Sequence, residues 1–159
     1  MFETEKADRP FIVLASIVFF SSLTVSVWDF VWIQKAVFHL GVVNILGLVL
    51  FIVGVSVRVV GRKTLGRYYS YGLRTSQDQK LIKFGIYKYV RHPINLAAML
   101  YSLGAPLVFS SLYGFCIMLV MIPLILYRTR IEEQMLVKKF GNEYLEYIKK
   151  TKKFIPFIY

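Results

Sequence analysis

Between His92 and Tyr127 the chain runs for 36 residues without a Lys, Arg, Asp or Glu. In lipid the backbone of such a stretch has no water to bond, so a helix must satisfy it internally. As one helix it would be about 54 Å long, against a hydrocarbon core of about 30 Å. Tilting one span does not absorb that excess. Gly104, Pro106, Ser110, Ser111 and Gly114, all turn or breaker residues, fall in its middle. The stretch therefore predicts a tight helical hairpin with spans over 93–109 and 113–128.

Two further uncharged stretches precede it: Pro10 to Trp28, with 19 residues, and Ala36 to Val57, with 22. Each is long enough to cross a bilayer. The residues before Pro10 are mixed in charge (Glu3, Glu5, Lys6, Asp8, Arg9), and no small-residue cleavage site follows the first stretch. It therefore reads as an uncleaved span rather than a signal peptide. Trp28, Trp32, Tyr68 and Tyr69 fall where interfacial aromatics belong. The 159 residues are 57% hydrophobic and 18% charged. A soluble domain has about 45–50% and about 25%. Disorder is excluded, and a water-soluble domain is disfavoured.

Charge placement orients the spans. Lys6 and Arg9 precede the first, and only Lys35 separates the first from the second. Nine basic residues fall from Arg58 to Arg91, none lies in the turn near Ser110, and eight follow the fourth span. With both termini cytoplasmic, 19 of the 20 basic residues face the cytoplasm, as the positive-inside rule asks. The net charge of +11 comes with no nucleic-acid motif, so anionic membrane lipid, not nucleic acid, is its expected partner. Cys116 is the only cysteine, which excludes an internal disulfide and a cysteine zinc cluster. No metal site is expected.

The expected fold class is all-α: a polytopic integral membrane protein of about four transmembrane helices, with a helical hairpin and a cytoplasmic C-terminal amphipathic helix. Residues 1–61 would be a two-span region. Residues 62–159 would hold a basic, Gly- and Tyr-rich connector over 62–91, the hairpin and the C-terminal helix. In that helix Leu136, Phe140, Tyr144 and Ile148 recur every four residues. The pattern suits a helix on the membrane surface or packed on the connector, broken at Gly141 and ended near Phe154-Ile155-Pro156.

Two segments place charged and aromatic groups at a membrane boundary: Tyr87-Lys88-Tyr89-Val90-Arg91-His92-Pro93 and Arg128-Thr129-Arg130-Ile131-Glu132-Glu133. Locally, His92-Pro93 reads as a helix start and Arg128 with Glu132 as an i,i+4 ion pair. The hairpin brings both segments to one level. Arg91, His92, Arg128, Glu132 and Glu133 then converge, and a juxtamembrane ionisable cluster is a functional-site candidate.

The run from Gly85 through Tyr87 to Arg91-His92-Pro93 resembles the Gly-x-Tyr-x-x-x-Arg-His-Pro signature of the isoprenylcysteine carboxyl methyltransferase family, a group of membrane methyltransferases that includes phospholipid N-methyltransferases. The run from Arg128 and Glu132-Glu133 through Leu136, Phe140-Gly141, Glu143-Tyr144 and Tyr147 to Pro156 resembles that family's C-terminal signature. Leu65-Gly66-Arg67-Tyr68-Tyr69-Ser70 extends the likeness upstream. The resemblance covers roughly residues 65–156.

It implies that Tyr87, Tyr89, Arg91, His92 and Pro93 enclose S-adenosylmethionine, with Glu132 and Glu133 completing the pocket. Arg128 would face the reacting end of a lipophilic acceptor. The residue types suit the chemistry: arginine for the cofactor carboxylate, an acid for its ammonium, aromatic faces for adenine and sulfonium. A carboxylate acceptor needs only an orienting cation, the role implied for Arg128. An amine or hydroxyl acceptor needs a base, for which Glu132 is the candidate. Where the family often has a small residue or Met, then Tyr, then a small residue, this chain has Ile94, Asn95 and Ala97. The membrane implied is the cell membrane in a prokaryote and the endoplasmic reticulum in a eukaryote.

Two other functions compete. Sterol-type reductases using NADPH resemble the chain around Arg-His-Pro, but usually carry an Arg-Asp pair and a Lys-Tyr-Gly-x-x-Trp stretch where this chain has Glu132-Glu133 and Phe140-Gly141. A non-enzymatic membrane adaptor is the other, and the position of the polar cluster argues against a transporter-like site, which would lie near the bilayer midplane.

Overall fold

A computed structural model describes residues 2–35, 37, 40–66 and 80–154. Tyr68, Tyr69, Arg67 and Ser70 of the connector and Pro156 lie outside the described residues. Helix α1 spans Phe2–Trp28 and continues as a π-helical turn over Asp29–Ile33. Then follow α2 (Val42–Leu65), a 3₁₀ turn over Gly85–Lys88, α3 (Pro93–Val108), α4 (Leu112–Met118), α5 (Met121–Phe140) and α6 (Asn142–Lys150). Among the described residues the only β pairing is one isolated parallel bridge between Val90 and Lys152. The protein is an all-α polytopic membrane protein. Three stretches (Arg9–Ile33, Val42–Leu65 and Leu112–Phe140) are long and apolar enough to cross a membrane, and α3 is a shorter apolar helix of 16 residues.

The hairpin forms where the sequence places it. His92 is the N-cap of α3 and Pro93 its first residue, where the missing amide costs nothing. The turn closes through Ser110 N–H to Leu107 O (2.9 Å) and Ser111 N–H to Pro106 O (3.1 Å). The Ser111 hydroxyl then caps α4 by accepting from Gly114 N–H at 3.1 Å. Helices α4 and α5 meet at Leu119-Val120, where i→i−3 bonds replace the helical pattern (Val120 N–H to Ile117 O, Ile122 N–H to Leu119 O). Pro123 explains the break: it lacks an amide and its ring crowds the carbonyl four residues earlier, that of Leu119.

Two expected boundaries move. The second helix starts at Val42 and runs to Leu65, so Arg58, Arg62 and Lys63 lie inside it. Arg62 and Lys63 occupy its last turn, where cations suit the helix dipole, and Gly66 at φ +52° ends it. Helix α5 likewise continues without interruption past Arg128 to Phe140, and Gly141 at φ +52° separates it from α6. The expected boundary between residues 61 and 62 falls within α2.

Helices α2 and α3 pack antiparallel and very close. A Cβ added at Gly47 would come within 2.6 Å of Val108 N, and one at Gly54 within 2.6 Å of Tyr101 N. A Cβ at Gly104 would meet Gly47 O at 2.6 Å. Gly61 faces Ile94 and Pro93. Glycines at 47, 54 and 61 repeat every seven residues, so they form one stripe down α2. On the other side, α1 joins α4 through Ser22, whose hydroxyl donates to Gly114 O at 2.7 Å, and Val18 of α1 clusters with Met118 of α4 and Met121 and Ile125 of α5. This packing holds the start of α3, the middle of α5 and the inner face of α6 with Tyr144 and Tyr147 around one cavity.

Candidate active site

The approach to α3 is set by Gly85, at φ +62°, where a Cβ would press on Thr64. The chain then turns once through Tyr87 and pairs with the C-terminal segment. Arg91 N–H donates to Lys152 O (2.8 Å) and His92 N–H to Lys153 O (3.1 Å). Tyr147 of α6 donates its hydroxyl to Tyr87 O at 2.6 Å, and Lys83 pairs with Glu143 at 2.7 Å. The amphipathic C-terminal helix thus packs on the connector.

An ionic cluster closes this end. Glu133 Oε1 accepts from Arg91 Nε (3.1 Å) and lies 3.2 Å from His92 Nε2, while Oε2 pairs with Lys153 Nζ at 2.8 Å. The Nη1 of Arg91 donates to the carbonyls of Thr151 (2.5 Å) and Ile148 (3.3 Å). His92 Nδ1 lies 3.5 Å from Glu132 Oε2, so the imidazole bridges the two carboxylates. Glu132 Oε2 also accepts from Asn95 Nδ2 at 2.9 Å, and Asn95 Nδ2 lies 3.1 Å from Thr129 Oγ1. Phe11 of α1 covers Arg128, whose guanidinium carbon is 4.9 Å from the ring centre.

Beside this cluster lies a cavity of about 530 Å³. Tyr87, Arg91, His92, Pro93, Arg128 and Glu132 line it, with Asn95, Tyr144 and Tyr147. Its lining also includes an apolar set, Phe11, Ile12, Ala15, Phe19 and Phe20 of α1 with Ala98, Met121 and Ile125, beside the polar Arg58, Tyr101 and Ser102 of α2 and α3. Two predicted site residues stand apart. Tyr89 is 52% exposed and borders a separate apolar groove with Val53, Val57 and Leu100. It sits outside the cavity because the turn over 85–88 faces Tyr87 inward and leaves Tyr89 on the outer surface. Glu133 is not among the lining residues: one helical step from Glu132, it turns toward Arg91 and Lys153. The Glu133 side chain is 16% exposed and that of Glu132 37%, so adjacent carboxylates split between bracing the site and facing the cavity.

Sequence reasoning did not single out Tyr144 and Tyr147 as pocket residues, nor Lys153 and Thr151 as partners of the cluster. The period-four apolar face of α6 was the available signal for Tyr144. Burial and Glu133 push the pKa of Tyr144 upward, and burial pushes Tyr147 up to about 12. Both stay neutral hydroxyl donors at any ordinary pH.

Burial alone would lower the pKa of His92, but Glu132 and Glu133 outweigh it and hold the value above the usual 6.5. A raised folded value means that the stabilisation from protonated His92 is complete below the unfolded pKa. It is lost as pH rises from about 6.5 through the higher folded value. The thermal midpoint in detergent is therefore expected to fall as pH is raised above neutral, and His92→Asn is expected to flatten that fall. A wild-type midpoint unchanged across this window would contradict a protonated His92.

Fold and site together define a polytopic helical membrane protein whose buried ionic cluster borders a cavity lined by both polar and apolar side chains. Residues 42–143 match the phospholipid methyltransferase family, and the chain belongs to it. It is 32% identical over 118 residues to the protein-S-isoprenylcysteine O-methyltransferase of Saccharomyces cerevisiae, covering 72% of this chain and 49% of that protein. It is 33% identical over 119 residues to a probable enzyme of the same name from Oryza sativa subsp. indica (73% and 62% covered), and 28% identical over 118 residues to the Homo sapiens enzyme (72% and 42%). The solved structure of a eukaryotic intramembrane Ras methyltransferase, an isoprenylcysteine carboxyl methyltransferase, superposes with a TM-score of 0.75 at 25% identity, over 94% of this chain and 53% of that one. The chain thus spans about half the length of these relatives.

Proposed function

We propose that the protein is an S-adenosylmethionine-dependent methyltransferase acting on a lipophilic membrane substrate, at a carboxylate of the isoprenylcysteine type. The observation that carries this reading is that one cavity joins the ionic cluster to apolar side chains of α1 and the hairpin. Four crossings, with both termini and the cluster on the cytoplasmic side, would let the cofactor enter from the cytosol and the acceptor from the bilayer.

The residues present suit the cofactor. The Tyr144 hydroxyl is buried with no hydrogen-bond partner, a donor left available at the cavity wall. Glu132 offers a carboxylate for an ammonium, and the rings of Tyr87, Tyr144 and Tyr147 offer faces for adenine and sulfonium. When bound, S-adenosylmethionine supplies an electrophilic methyl group on sulfur. Arg91 and His92 line the cavity, but Nε and Nη1 of Arg91 and both ring nitrogens of His92 are held by Glu133, Glu132 and backbone carbonyls, so they fix the wall. Arg128 orients the acceptor carboxylate, and the apolar lining keeps water from the reacting atoms. An amine acceptor of the phospholipid kind is the second reading, favoured by the family match and by Glu132 facing the cavity, where it would accept the amine proton.

Calorimetric titration of detergent-purified protein tests the cofactor: micromolar binding of S-adenosylmethionine and S-adenosylhomocysteine, without binding of NADPH, is expected. Tyr144→Phe removes one hydrogen bond, worth about 1 kcal/mol, and should weaken S-adenosylhomocysteine about fivefold. NADPH binding alone would replace this reading by a reductase. Methyl transfer to a prenylated cysteine rather than to an amine lipid would decide the acceptor.

A further inference from the structure

Arg58 has no counterpart in the chemistry above. It lies inside α2 and lines the same cavity, facing α3. Its Nη1 donates to the Tyr101 hydroxyl at 3.2 Å, and its guanidinium carbon lies 5.7 Å from the Tyr101 ring centre. No carboxylate pairs with it among the described residues.

The antiparallel register shows how deep this pair sits. Gly54 opposes Tyr101 and Gly61 opposes Ile94, so Arg58 lies level with Ala97. That is about one helical turn below the start of α3. Side chains tilt toward the N-terminus of their own helix. Arg58 therefore leans away from the basic end of the bundle, and Tyr101 leans toward it. A lipid-facing arginine serving only to anchor a helix end would reach the other way, to the interface. Arg58 instead holds a cation in the wall of a partly open, lipid-level cavity, where an unpaired charge is costly. Ser102, next to Tyr101, adds a buried hydroxyl with no hydrogen-bond partner to the same wall.

We infer that Arg58 and Tyr101, with Ser102 beside them, form an anion-binding subsite for an acidic group of the lipid held in the cavity. The free guanidinium donors and two hydroxyls match a phosphate or carboxylate oxygen. The subsite lies on the α2–α3 wall, whereas Arg128 belongs to α5, so a lipid whose reacting group sits at Arg128 and that carries a separate phosphate or carboxylate would be fixed at two places. This inference deepens the proposed function, resting on its placement of a lipid in the cavity.

The test uses native mass spectrometry of the detergent-purified full chain with equal dioleoyl phosphatidate and dioleoylglycerol, without cofactor. Wild type is expected to retain phosphatidate about tenfold better, the scale of a charge-assisted hydrogen bond. Arg58→Gln should bring the two lipids to parity and Arg58→Lys should restore part of the preference. Lys149→Gln, on the exposed face of α6, should change nothing. A preference that survives Arg58→Gln, or none in wild type, overturns the subsite. A tenfold loss of S-adenosylhomocysteine binding in Arg58→Gln would give the anion to the cofactor carboxylate, and also overturns it. Wild type that prefers phosphatidate but binds no S-adenosylhomocysteine would remove the methyltransferase reading and keep the subsite.

Discussion

Glu133→Ala is expected to destabilise the protein by about 3–5 kcal/mol, the cost of removing one partner from a buried ionic group. Its carboxylate meets three cationic groups: Arg91, His92 and Lys153. The side chains of these partners are only 9%, 2% and 19% exposed, so water does not replace the lost carboxylate. The effect reaches beyond the cluster, because Lys153 and the Arg91–Thr151 bond tie the C-terminal segment to the start of α3. Losing Glu133 should loosen α6 and with it Tyr144 and Tyr147. The measurement is thermal unfolding in detergent, with Glu132→Ala beside it. Glu132 faces the cavity, so its truncation should lower the midpoint by less than half as much while cutting S-adenosylhomocysteine binding at least as strongly. Equal midpoints for Glu133→Ala and wild type would show that Glu133 does not hold the cluster.

The difference between these two neighbours shows what a linear reading contains and what it omits. Charge-free length and the breakers near Ser110 are local properties, so the hairpin, the start of α3 at His92-Pro93 and the break at Gly141 were legible in the sequence. So was the meeting of Arg91 and His92 with Arg128, Glu132 and Glu133, since a hairpin allows little else. Which carboxylate faces the cavity was not legible. It depends on the return of residues 151–153 to the Tyr89–His92 segment, and pairing over some 60 residues leaves no periodic trace. That Tyr89 lies outside the cavity was not legible for a related reason: a 3₁₀ turn, unlike a strand or an α-helix, gives no simple rule for which of two nearby tyrosines points inward. Asn95 read only as a departure from the family pattern. The structure gives it a place, donating to Glu132 beside Thr129. The uncharged stretch ends at Val57 but α2 does not, because charge does not stop a helix and Arg62 and Lys63 suit its C-terminus.

Gly54→Val is the other large effect expected, and it tests the packing that positions the cavity. The heptad of Gly47, Gly54 and Gly61 was in the sequence, but its meaning depends on a partner helix. At Gly54 the first added carbon would lie 2.6 Å from Tyr101 N and 3.0 Å from Ala97 O. Backbone atoms cannot rotate aside as a flexible side chain does, so α2 and α3 must separate. Overpacking of a tight contact costs about 1–3 kcal/mol, and a β-branched residue against backbone belongs at the upper end. Val53→Leu, on the neighbouring and 44% exposed position, supplies the control and should stay within about 0.5 kcal/mol of wild type. Separation of the two helices would also pull Arg58 from Tyr101, since Gly54 faces the backbone that carries that tyrosine. Gly54→Val should therefore lose both thermal stability and the phosphatidate preference, whereas Gly114→Ala, pressing on Ser26 between α1 and α4, should lose stability and keep the preference. The same loss of preference in both variants would mean that lipid recognition follows global stability rather than the α2–α3 contact.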